Sequence, residues 1–196
     1  MTGVAAGRDL RLAGRISAWC EPRNWMLAAA PLVGWRADGA PGAAWGVLAA
    51  VVTGVVPSLF ITAGGRLRRW GSGLPERRDR LAAAPWIVFP VAAGAVALHH
   101  LGAPSAVTAL VVAMTAVLCA LAAITTAWKV SAHSAVAAGT SAVLILAYGS
   151  WMLPLAAVAT ATAWSRLRLG RHTAAQVVVG VTVGAAAAGT VFALLR

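Results

Sequence analysis

The sequence predicts an all-α fold, a polytopic membrane bundle of about six to seven transmembrane segments in one domain, residues 1–196. Three observations predict it. Hydrophobic residues make up 60% of the 196 positions and charged residues only 11%, against roughly 25% charged in a soluble domain. Residues without Asp, Glu, Lys or Arg collect in runs of 12 (24–35), 27 (39–65), 48 (81–128), 36 (130–165) and 24 (172–195). The remaining charges are lopsided, 16 Lys+Arg against 5 Asp+Glu for a net +11, and they gather between the runs. Disorder is excluded by the hydrophobicity. A nucleic-acid binder would spread its arginines over a soluble face, and long stretches here carry none. Cys20 and Cys119 are too few for a disulfide framework.

Each element follows from length. A membrane helix needs roughly 20 mostly apolar residues. The 48-residue run would measure about 72 Å as one helix, so it folds back, at His99-His100-Leu101-Gly102-Ala103-Pro104. The 36-residue run turns at Gly149-Ser150, with Pro154 just beyond. Seven helical segments result: about 20–36, 42–64, 82–100, 104–128, 132–148, 151–166 and 172–195. Glu21, Arg23 and Asn24 spoil the start of the first, which is interfacial or half-length if it does not span. Gly180, Gly184 and Gly189 in the last suit close helix packing in lipid. The early Arg8, Asp9, Arg11 and Arg15 do not fit a secretory signal peptide. Trp19, Trp35, Trp70, Trp86, Trp128 and Trp164 near helix ends suit an aromatic belt.

If segments two to seven all cross, their connections alternate sides. Loop 65–81, the 128–132 connection and the 165–172 connection then share one side, as does the N-terminus if the first segment also crosses. That side carries 14 of the 16 cations, leaving only Arg36 and Arg196 opposite. Positive residues in short loops mark the cytoplasm. Parity thus brings three polar segments to one cytoplasmic face of the cell membrane: Arg66 to Arg80, Lys129 to His133, and Ser165 to Gln176. Cations beside His133 and His172 suggest a phosphate site, since arginine offers a donor fork matching phosphate oxygens. His99-His100 lies on the opposite side and reads as an interfacial turn.

The third segment, Ser165-Arg166, five residues, His172, three residues, Gln176, resembles the signature of the type-2 phosphatidic acid phosphatase superfamily. The second resembles that family's Pro-Ser-Gly-His motif, with Ser131 and His133 matching and Val130 and Ala132 departing. The 31 residues between His133 and Ser165 suit the family's intervening helical hairpin. The resemblance covers residues 65–195, the expected catalytic helical core. It implies a hydrolase that cleaves a lipid phosphate without a metal or other cofactor. His172 would be the nucleophile, giving a phosphohistidine. His133 would protonate the leaving oxygen and then activate water. Arg166, Ser131 and Ser165 would belong to the phosphate cradle, with backbone N–H groups near Ala132.

Two departures stand out. The family's Asp that orients the nucleophile is Gln176 here, one turn beyond His172. Its carbonyl can accept from Nδ1–H but cannot stabilise a developing imidazolium by charge, a role for which Glu76 and Asp79 are candidates. The family's first motif, Lys, six residues, Arg-Pro, keeps only Arg80. Lys129, or Arg77 or Arg78, would supply the missing cation.

Other classes compete. A catalytically silent lipid-phosphate binder is motivated by the same departures. A small transporter fits poorly, because few charges lie mid-helix and no half repeats. Asp9, Asp38 and Asp79 are too scattered for metal-dependent prenyl chemistry. The partners expected are a lipid phosphate substrate and membrane lipid, and no nucleic acid.

Overall fold

The computed structural model describes residues 2–71 and 73–196, with side chains from residue 7 onward. Every regular element among them is helical. In chain order these are α1 (Thr2–Trp19), α2 (Pro22–Ala50), α3 (Val56–Arg66), α4 (Arg77–His100), α5 (Ser105–Ala127), α6 (Ala132–Tyr148), α7 (Leu155–Arg168) and α8 (Ala174–Leu195). Four helical stretches, Pro22–Arg66, Arg77–His100, Ser105–Ala127 and Ala174–Leu195, are long and apolar enough to cross a membrane, with mean hydropathy of 2.0 to 2.6. Burial is partly inverted, as a lipid-facing protein requires. Leu59, Phe89 and Val178 are exposed, while Ser131, Ser134, Thr140, Thr162 and Ser165 are fully buried.

The α2–α3 stretch is a hairpin rather than a rod. Asp38 leaves helical geometry (φ −153°, ψ 36°) and Gly39 adopts φ 54°, a left-handed value glycine takes without steric cost. Pro41 then starts the second arm, where its missing N–H is harmless. The arms touch backbone to backbone. A Cβ on Gly34 would lie 2.0 Å from the Gly42 carbonyl oxygen, and one on Gly46 would lie 2.2 Å from that of Ala30. This agrees with separate helices over 20–36 and 42–64. Further along, the second arm widens into a π turn at Val51–Val55. Pro57 follows; it has no N–H for the carbonyl four residues back, which is one physical cause of such widening.

Two expected boundaries shift and one helix is added. Segment 82–100 starts five residues earlier, at Arg77, because Glu76 and Asp79 form a reciprocal capping box. Segment 151–166 starts at Leu155, because Gly149 (φ 98°) and a short 3-10 turn at Ser150–Met152 intervene. An eighth helix, α1, occupies residues that the seven-segment reading left outside any helix; too polar to register as a span, it packs on α7. Trp70 also departs from the aromatic belt. It is buried against Gly64 and donates Nε1–H to the Ile61 carbonyl at 3.0 Å, fastening the loop after α3.

The most extensive packing joins α6 to α8. Small residues set its closeness: a Cβ on Gly184 would lie 2.1 Å from the Ala135 carbonyl oxygen, and one on Gly180 would lie 2.7 Å from that of Ser131. With few polar groups to share, helices in lipid gain from this close approach.

Candidate active site

The α6–α8 contact positions two of the three polar segments. Ser131 caps α6 and accepts from the Ser134 N–H at 3.4 Å. Its own N–H donates to the Gln176 carbonyl at 3.2 Å, joining the start of α6 to the start of α8. The turn between α7 and α8 is closed by Gly170 at φ 62° and by the Arg171 N–H donating to the Arg166 carbonyl at 3.1 Å. Thr173 and Gln176 then form a reciprocal capping box that opens α8.

These constraints bring Arg80, His133, Arg166 and His172 to the wall of one cavity of about 740 Å³. Arg80 is anchored by donating Nε–H to the Leu74 carbonyl at 3.1 Å and Nη1–H to the Val130 carbonyl at 2.9 Å. Arg166 is buried and donates Nη1–H to Ser17 Oγ at 2.5 Å, while its buried Nε–H has no partner. An unsatisfied buried donor costs about 1–3 kcal/mol, more when charged, so the guanidinium is ready for an acceptor such as an anion. Apart from Arg66 and the Glu21–Arg23 pair, the rest of the cavity is largely apolar, with Ile87 and Val88 from α4 and Met114, Leu118 and Leu121 from α5.

His172 is oriented by Gln176, with Nδ1 to Oε1 at 3.1 Å. The Thr173 N–H donates to the same Oε1 at 3.2 Å. An atom receiving a backbone N–H is an acceptor, so Nδ1 carries the proton and Nε2 is bare. Burial, and next Arg80, push the His172 pKa down to about 4, against the opposing pull of the Gln176 bond. The ring is therefore neutral at pH 7. A neutral imidazole with a bare nitrogen therefore shares one cavity wall with two guanidinium groups.

The other expected residues sit elsewhere. Lys129 does not line the cavity; it stands near the cluster, and burial together with Arg80, Arg166 and Arg171 lowers its pKa. Arg77 is exposed and donates to the Thr126 carbonyl at the end of α5, so it caps a helix rather than facing the cavity. The Ser165 hydroxyl donates to the Thr162 carbonyl at 2.7 Å within its own helix. The Ser131 hydroxyl is fully buried in its cap, paired with Ser134 Oγ at 2.9 Å. Glu76 and Asp79 do not compensate for Gln176. Glu76 pairs with Arg78 at 2.7 Å, and Asp79 accepts from the Glu76 N–H at 3.3 Å.

Three residues outside the motifs join the site. Ser17 touches Arg166, and the ion-paired Glu21 and Arg23 (3.2 Å) line the cavity. The sequence signal for Glu21 is Pro22, which marks a helix start there; Ser17 carries none. Among the described residues, no three His, Cys, Asp or Glu side chains converge as metal ligands would. Comparison with known proteins finds no matching family model, curated protein or solved structure.

Proposed function

We propose that this protein is an integral-membrane lipid phosphatase of the type-2 phosphatidic acid phosphatase kind, acting on a lipid phosphate monoester or diphosphate. The observation that carries the reading is the shared cavity. Two imidazoles and two guanidinium groups line one part of it, and hydrocarbon side chains line much of the rest. A phosphate with a hydrocarbon tail matches both.

In this reading His172 Nε2 attacks phosphorus, the bond from phosphorus to the leaving oxygen breaks, and His133 protonates that oxygen. Water activated by His133 then cleaves the phosphohistidine to release inorganic phosphate. Arg80 and Arg166 hold the non-bridging oxygens. Positioning, charge neutralisation and proton donation are the parts phosphoryl transfer needs. Substrates of this chemistry include prenyl phosphates and diphosphates, phosphatidic acid and phosphatidylglycerophosphate.

Counting the two arms of the α2–α3 hairpin separately, six apolar helical segments, with the 14-residue α7 as a less apolar seventh, support six to seven crossings. The cation asymmetry supports a cell-membrane protein with its site on the cytoplasmic side. A biosynthetic intermediate made inside the cell suits that side.

The test is phosphate release by the purified protein from a panel of lipid phosphates, with His172→Ala as control. Release is expected from at least one lipid and is lost in the variant. Wild-type release by His172→Ala overturns the mechanism. Gln176 favours a second reading, a catalytically silent lipid-phosphate binder. That protein would bind a lipid phosphate yet trap no phosphoenzyme.

A further inference from the structure

We propose that Ser17 on α1 is a positioning residue for Arg166, so that the phosphate site is completed by a helix outside the 65–195 core. The proposal rests on the reading of the cavity as a phosphate site. Asp9, Ala13 and Ser17 fall four residues apart and share one face of α1. That face packs on α7, with Ala13 and Ser17 buried. Two ties cross the contact: Asp9 Oδ2 meets Arg168 Nη2 at 2.7 Å, and Ser17 Oγ accepts from Arg166 Nη1 at 2.5 Å. Asn24 stops α1 by donating Nδ2–H to the Ala18 and Trp19 carbonyls at 3.2 and 3.0 Å. Ser17 is thus delivered by a helix held along its length.

The chemistry of this tie is specific. Nη1 lies on the Cδ side of the guanidinium, so an acceptor there leaves the Nε–Nη2 edge open. That edge is the two-donor fork that grips an oxyanion side-on, and its Nε–H is the buried donor without a partner. A hydroxyl is also a neutral acceptor. It fixes the arginine without cancelling the charge an anion must meet. The carboxylates are engaged elsewhere: Asp9 with Arg168, Glu21 with Arg23, Glu76 with Arg78 and Asp79 in its capping box, while Asp38 lies at the α2 turn.

Orthovanadate binding to the purified full-length protein in micelles, by titration calorimetry, tests this without turnover. Ser17→Ala is expected to weaken vanadate about tenfold and to raise KM for the lipid phosphate. Ser17→Thr keeps the hydroxyl and stays within about twofold of wild type. Asp9→Asn, which loosens α1 without touching Arg166, lowers the melting temperature but leaves vanadate binding within about twofold. Should Ser17→Ala not fold, Ser17→Asp carries the test: it keeps the tie, neutralises the guanidinium, and is expected to weaken vanadate at least tenfold. Wild-type binding by Ser17→Ala or Ser17→Asp, or equal losses in Asp9→Asn and Ser17→Ala, overturns the positioning role and leaves the phosphate site standing. No vanadate binding by the wild type overturns the phosphate-site reading itself, and the proposal with it.

Discussion

Gln176 Oε1 accepts two hydrogen bonds, from His172 Nδ1 at 3.1 Å and from the Thr173 N–H at 3.2 Å. One amide oxygen therefore starts α8 and sets the imidazole tautomer. Gln176→Leu removes both bonds. It should lower kcat about 100-fold, since a misplaced proton on the nucleophile disables it, and cost about 1 kcal/mol of stability through the lost cap. Gln176→Asp keeps an acceptor for these bonds and adds a charge that stabilises the imidazolium; kcat should rise about tenfold. Phosphate-release kinetics on the two variants check this. An unchanged kcat in Gln176→Leu would remove Gln176 from the mechanism.

The low pKa of His172, about 4, predicts where acid inactivation by this group occurs. Attack needs the neutral ring, so kcat/KM should hold from pH 7 to 5 and fall through about pH 4. An unfolded histidine titrates near 6.5. Between that value and about 4 the unfolded chain binds a proton that native His172 refuses. Its linkage is therefore neutral to stability above pH 6.5, and stability declines as pH falls toward 4. Arg80→Gln removes a lowering charge and should move the acid limb upward. An acid limb at pH 6.5 in both proteins would contradict this.

Arg80 and Arg77 stand three residues apart yet should behave differently. Arg80 lines the cavity, whereas Arg77 caps the end of α5. Arg80→Ala should cost at least 100-fold in kcat/KM, and Arg77→Ala less than about threefold. Lys129→Ala should raise KM about threefold with little change in kcat, as expected of a cation beside the cavity whose attraction is partly screened. Steady-state kinetics on the three variants separate these outcomes; equal losses in Arg80→Ala and Arg77→Ala would refute the assignment.

Gly184 and Gly189 lie on the same helix with different room. A methyl on Gly184 meets the Ala135 carbonyl at 2.1 Å, a backbone group that cannot yield, whereas one on Gly189 meets Ala142 Cβ at 3.7 Å. Gly184→Ala should destabilise by about 3 kcal/mol through overpacking. Gly189→Ala should be neutral or stabilise by up to about 1 kcal/mol through helix propensity. Thermal unfolding in detergent checks the contrast. Because Ser131 and Gln176 meet across this same interface, Gly184→Ala should also lose activity.

Much of the architecture was legible because the bilayer imposes it. Run lengths gave the hairpin break near 37–41 and the turn at His99 to Pro104, where glycine and proline mark the stops. The start of α4 at Arg77 was also written in Glu76 and Asp79, a capping box obscured by the surrounding arginines. The helix α1 was not visible to a hydropathy reading. Its arginines mask the buried face that Ala13 and Ser17 form.

By itself the sequence determined a helical chain with apolar runs long enough to span a membrane and cations gathered between them, and it singled out His133, Arg166 and His172. Hydropathy and spacing are local properties, so residue order suffices for them. Only the tertiary structure decided which polar groups share the cavity. Serine and arginine side chains satisfy their hydrogen bonds with whatever lies near. The Ser131 and Ser165 hydroxyls found partners in their own helical segments and Arg77 found the end of α5, while Arg80 reached the cavity. The Ser17–Arg166 contact joins residues 149 apart in the chain. No spacing rule spans that distance, and only the packing of α1 on α7 makes it.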